Sequence, residues 1–226
     1  MTDIFDELTR VHREVGAREV TSRGETKTAR RVVLRRHYDA PLEDVWDAVT
    51  NPERISRWFL PVSGDLRLGG TYQLEGNAGG EILRCEPPRH YAVSWIYGVP
   101  PDQAEFSEVS VTLSEHPGGG TELVLEHVAV FPDEMWDQYG PGAVGVGWDG
   151  GLLGLTLHLR GAQIDDPKAW EASEEGREFY TRSSRAWAEA YRASGVSEEV
   201  AAAAERATTA FYAPPPDSAG EPGPAR

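Results

Sequence analysis

Arg36, Glu81 and His127 are the residues whose placement asks for chemistry. Each shares strand parity with apolar neighbours: Arg36 with Val32, Leu34 and Tyr38, Glu81 with Leu83 and Cys85, and His127 with Leu123 and Leu125. A charge carried into an apolar layer loses several kcal/mol of hydration unless it is paired or neutralised. If Glu81 and His127 converge, they form a carboxylate–imidazole pair able to move protons in a cyclisation or dehydration. The same residues could instead orient the polar head of a bound molecule. A purely structural reading is an Arg36–Glu81 bridge, or a rim wetted by solvent.

Other motifs carry less. Gly145-Val146-Gly147-Trp148-Asp149-Gly150 spells G-x-G-x-x-G, with Asp165 and Asp166 near the place of a ribose-binding acid. A dinucleotide fingerprint needs a preceding strand inside a βαβ unit, and this stretch sits late in the chain within a helical pattern. The glycines are expected instead to admit close packing or to leave ligand volume. His12, His37, His90, His116, His127 and His158 fall on separate elements without HExxH or any paired spacing, so neither a metal nor a cofactor is expected. The single cysteine, Cys85, rules out an intrachain disulfide and is expected as a buried thiol. No serine stands in a G-x-S-x-G elbow.

The second group of candidates is a wall rather than a catalytic set. Trp58, Tyr72, Trp95 and Trp148, with Leu74, Leu125 and Leu152, are placed to line an apolar cavity, the alternative being ordinary core packing. Positioning them takes a particular set of elements. Ile4, Phe5, Leu8, Val11 and Val15 predict a helix over residues 3–15, and alternation predicts a strand over 31–39. Pro41 and Pro52 open two short helices, the first carrying Leu42, Val45, Trp46 and Val49 and the second running to Trp58. Runs of period two at 66–75, 80–86, 90–97, 105–115 and 121–131, joined by short Gly- and Pro-rich turns, predict an antiparallel meander covered on one face. Val144, Trp148, Leu152, Leu155 and Leu159 then make the stripe of a long helix over 141–159 that should lie across the sheet.

Beyond Arg160 come acidic, alanine-rich helices, with Phe179, Trp187, Ala190 and Tyr191 lining one and Val200, Ala204, Ala207 and Phe211 the next. The expected organisation is an N-terminal helix and linker over 1–24, a domain over 25–160, a helical extension over 161–212 and a disordered tail over 213–226. Trp170, Phe179, Trp187 and Phe211 are too many large apolar groups for a solvated extension, so it should dock. A formal charge of −15, from 22 basic and 37 acidic residues, argues against nucleic acid, which needs a basic footprint. Six glycines and Asp149 within the 141–159 stretch argue against a membrane span. The opening MTDIFDELTR lacks a basic region and apolar run, and a cytoplasmic setting is expected.

The order strand, two short helices, meander, long helix is a helix-grip arrangement of the α+β class, and the residues carry a resemblance. RRHYDAPLEDVWDAVTNPERISRWF, GGTYQLEGNAGGEILRCEPPRHYAVSW and GGTELVLEHVAVF, within residues 30–160, resemble the START-like (SRPBCC) superfamily, most closely domains similar to the activator of the heat-shock protein 90 ATPase. The resemblance implies a cavity between grip helix and sheet that holds a small apolar or aromatic molecule without catalysis. It also implies two alternatives: a polyketide cyclase or dehydratase using Glu81 and His127, or a co-chaperone making chaperone or homo-oligomer contacts. The extra helices lie outside it.

Overall fold

The computed structural model describes residues 3–215, so the expected disordered tail lies outside the described residues from 216 on. The elements run α1 (Ile4–Thr9), β1 (His12–Ser22), β2 (Glu25–Tyr38), α2 (Leu42–Thr50), α3 (Pro52–Trp58), β3 (Val62–Gly64), β4 (Thr71–Leu74), β5 (Gly79–Glu86), β6 (His90–Ser94), β7 (Ser107–Glu115) and β8 (Thr121–Ala129). Helices α4 (Asp133–Tyr139), α5 (Gly142–Leu159), α6 (Pro167–Ala172), α7 (Glu174–Ala193) and α8 (Glu198–Tyr212) follow. The strands form one curved antiparallel sheet in the order β1-β2-β8-β7-β6-β5-β4-β3, gripped by α5, as the α+β helix-grip expectation requires. Among the described residues no helix is long and apolar enough to cross a membrane.

The N-terminus departs from its periodicity. The helix expected over 3–15 stops at Thr9, and residues 12–22 pair with β2 along their whole length, from His12 opposite Arg35 to Ser22 opposite Glu25. Asp3 caps the short helix by accepting from the Phe5 and Asp6 amides. Beyond it Val15, Val20 and Thr21 suit a strand, Gly16 weakens a helix, and an existing β2 edge offers every backbone group a partner. The segment expected as helix and linker is therefore a sheet strand. A two-residue hairpin turn, Arg23 and Gly24 both at positive φ, joins it to β2, which begins six residues before the expected strand.

The extension docks. Asp149, in the middle of α5, is 2% exposed and accepts from Arg13 of β1 (Nε 3.1 Å, Nη2 2.9 Å). It also accepts from Ser183 Oγ at 2.5 Å and Trp187 Nε1 at 3.0 Å, both on α7. One carboxylate thus ties together three segments distant in sequence. The α5 glycines supply the clearance: a Cβ on Gly145 would stand 2.2 Å from the Trp187 ring, one on Gly142 2.6 Å from Thr208, and one on Gly154 2.3 Å from the Trp58 carbonyl. Their spelling of G-x-G-x-x-G is incidental to this packing. Helix α8 buries Ala201, Ala204 and Thr208 and leaves Val200 exposed, so its inward face is turned one position from the expected stripe.

Candidate functional site

The site is built by two helices meeting the concave face of the sheet. Asn51 caps α3 by accepting from the Glu53 amide, Pro52 presets its first turn, and the helix ends by delivering Trp58 and Phe59 against α5. Trp58 Nε1 donates to the Ala48 carbonyl at 2.9 Å, which holds the indole between α2 and α5. From the sheet, Tyr72 and Leu74 on β4, Val93 on β6, Val109 and Val111 on β7, and Leu123 and Leu125 on β8 form the floor. Trp148, Gly151, Leu152 and Leu155 of α5 form the roof. Between them lies a cavity of about 160 Å³, walled almost wholly by apolar groups and opening past Leu66 and Cys85.

Aromatic rings line one end in a continuous series. Ring centroids are 5.5 Å apart for Trp58–Phe59, 6.3 Å for Phe59–Trp148, 4.9 Å for Trp148–Trp95 and 6.4 Å for Trp95–Tyr72. Tyr72 donates its hydroxyl proton to the Ser94 carbonyl at 2.9 Å, and burial raises its pKa. Tyr91 faces the same cavity, and among the described residues its hydroxyl makes no hydrogen bond; burial likewise raises its pKa. Both phenols stay protonated at neutral pH and can donate.

His127 sits at the edge of this aromatic series, 2% exposed. Trp148 Nε1 donates to its Nδ1 at 3.3 Å, so the ring proton lies on Nε2 and points to Ser107 Oγ at 3.1 Å. Burial alone drives its pKa down to about 3. A histidine so placed is neutral, has both nitrogens occupied and faces no carboxylate among its hydrogen-bond partners.

Glu81 is not its partner. A β-bulge between Ile82 and Arg84 resets the strand's phase, so Ile82 pairs with inward Val93 and faces the cavity while Glu81 and Leu83 are exposed. Parity counted from Cys85 back through a bulge puts the wrong residues inside. Neither Glu81 with His127 nor Arg36 with Glu81 forms a pair. Arg36 instead engages Glu7 of α1: its Nη1 donates to the Glu7 backbone carbonyl at 3.0 Å and its Nη2 contacts the carboxylate, whose other oxygen takes Arg160 at 2.8 Å. Cys85, expected buried, is exposed at the cavity mouth.

Of the expected wall, Trp58, Tyr72, Leu74, Trp95, Leu125, Trp148 and Leu152 all line this cavity. Tyr91, which shares strand parity with Val93 and Trp95, lines it too, and Phe59 and Ile82 join them unforeseen. Tyr91 was legible, since it alternates with Val93; Phe59 was not, because it falls at a helix end where periodicity lapses.

The comparisons with known proteins agree with this architecture. The crystal structure of CalU16 from Micromonospora echinospora is 41% identical over 80% of this chain and 97% of its own, with a TM-score of 0.63. The solution structure of CalU16 gives 38% identity, 82% and 97% coverage and a TM-score of 0.64. Protein MLL2253 from Mesorhizobium loti, 24% identical over 59% of this chain and 99% of its own with a TM-score of 0.50, shares the fold. No curated protein matches. Residues 39–159, from the end of the first long hairpin through the whole of the grip helix, match the description Activator of Hsp90 ATPase homolog 1-like protein, and the chain belongs to that family.

Proposed function

We propose that this protein binds a small apolar or aromatic molecule in the cavity between α5 and the sheet and does not transform it. The observation that carries the reading is the cavity itself: about 160 Å³ lined by rings and aliphatic side chains. An apolar void of about 150 Å³ stays dry and takes up a single aromatic ring. A close-packed core would leave no such space. Catalysis has less support, because His127 is neutral with both nitrogens engaged and Glu81 points away. The family description names Hsp90 ATPase activation, which would need a protein surface rather than a cavity.

An environment-sensitive dye added to native protein should bind at one equivalent and quench tryptophan emission. Leu152→Trp, which fills the roof, should abolish binding while the protein stays folded, and Val111→Phe on the floor serves as the second variant. Unsaturable dye binding, or binding indifferent to both variants, would count against the reading and favour a chaperone or homo-oligomer contact.

A further inference from the structure

The aromatic end of the cavity is a partition, not a boundary. Behind it lies a second cavity of about 630 Å³, between the outer face of α5 and the segment running through α6, α7 and α8. Trp58, Phe59, Trp95, Trp148 and Gly151 face both spaces. The surfaces shared by the two spaces are therefore four aromatic side chains and one glycine of α5. The two spaces differ in chemistry. The inner one is apolar, whereas Arg57, Gln163, Asp165 and Glu171 line the outer one.

The glycines of α5 divide accordingly. Gly142, Gly145 and Gly154 are required by packing, since any Cβ there would collide with a neighbour. Gly147 and Gly151 are not: a Cβ on Gly147 would meet nothing nearer than the Tyr212 hydroxyl at 3.5 Å, and one on Gly151 nothing nearer than the Phe59 ring at 3.6 Å. Interior glycines cost a helix stability. Where packing does not need them, they keep open the space on either side of the partition.

We propose that the two cavities form one binding site for an elongated aromatic molecule. Its unsubstituted ring occupies the inner space, and its larger, hydrogen-bonding body lies in the outer space against the C-terminal helices. This rests on the ligand-binding reading above and deepens it. The inner volume fits one ring, and the outer falls in the range of ordinary small-molecule sites. The extension thereby becomes part of the binding wall.

Two probes separate the arms: 4-fluorotoluene, one ring, followed by 19F NMR, and Nile red, an elongated polycyclic dye with a carbonyl, followed by fluorescence. Gly147→Leu places bulk in the outer space only and exchanges a poor helix former for a strong one, so loss of binding cannot be charged to a weaker helix. It should weaken Nile red at least tenfold and leave 4-fluorotoluene within twofold. Val111→Phe should remove both; if it fails to fold, Ile82→Phe at the half-buried edge of the same wall replaces it. Nile red unaffected by Gly147→Leu, or retained after the inner space is filled, overturns the joined site while leaving the ligand-binding reading intact whenever 4-fluorotoluene still binds the native protein. If native protein binds neither probe, both fall.

Discussion

Trp148 Nε1 lies 3.3 Å from His127 Nδ1, and this contact joins the grip helix to the sheet at the aromatic partition. It sets the imidazole tautomer, and burial keeps the ring neutral, with a pKa near 3 against an ordinary value near 6.5. Between those values the unfolded chain binds a proton that the folded chain refuses. Stability that is whole above about pH 6.5 is therefore lost as the pH falls toward 3, at up to about 1.4 kcal/mol per pH unit. His127→Gln lacks this component. In urea melts at pH 7, 5.5 and 4, the stability difference between native protein and variant should shrink with acid, and a constant difference would mean that the imidazole is not held neutral by burial.

Tyr91 offers the inner cavity a hydroxyl that no described residue engages. Tyr91→Phe should leave the affinity for 4-fluorotoluene unchanged and weaken a ring bearing an acceptor, such as benzaldehyde, by about 0.5–1.5 kcal/mol. Titration of both ligands reads the difference. Equal losses would place the hydroxyl away from the ligand.

Gly145 and Gly147, two residues apart on α5, should behave oppositely. Gly145→Ala forces a methyl into the Trp187 ring and should cost about 1–3 kcal/mol. Gly147→Ala brings its methyl only into ordinary contact with the Tyr212 hydroxyl at 3.5 Å and should stabilise by about 0.5–1 kcal/mol. Thermal melts of the two variants decide it; a stabilising Gly145→Ala would mean that α7 is not seated on α5.

Glu7 carries two arginines from separate elements, Arg36 of β2 and Arg160 at the end of α5. Glu7→Ala leaves the buried Arg36 guanidinium without its counter-charge and should cost about 3–5 kcal/mol in denaturant melts. A loss below about 1 kcal/mol would show that α1 does not cap this end of the sheet.

Because Asp149 binds Arg13, Ser183 and Trp187 at once, the extension should resist proteases as well as the sheet does. Limited proteolysis should spare residues 161–212. Rapid cleavage near residue 161 that leaves the remainder equally stable would refute docking.

How much could be read in advance depended on how local the cause was. Alternation along 107–115 and 121–129 placed Val109, Val111, Leu123 and Leu125 on the floor because a strand buried on one face repeats every two residues. The stripe through Trp148, Leu152 and Leu155 placed the roof for the same kind of reason, at helical period. Glu81 was misplaced because a bulge shifts the phase without leaving a residue type that announces it. Residues 10–15 continued a helical spacing that the β2 edge overrode.

By itself, then, the sequence determined the helix-grip order and most of the cavity wall, since both follow from periodicities and turn residues acting within a few positions. Only the tertiary structure decided who pairs with whom among the buried charges. Arg36 with Glu7 and Asp149 with Arg13 are contacts across 29 and 136 residues, and no local pattern encodes a partner at that range. The same holds for the second cavity. Its volume is what remains when α5 and the C-terminal helices meet, and a space between elements has no residue of its own to be read.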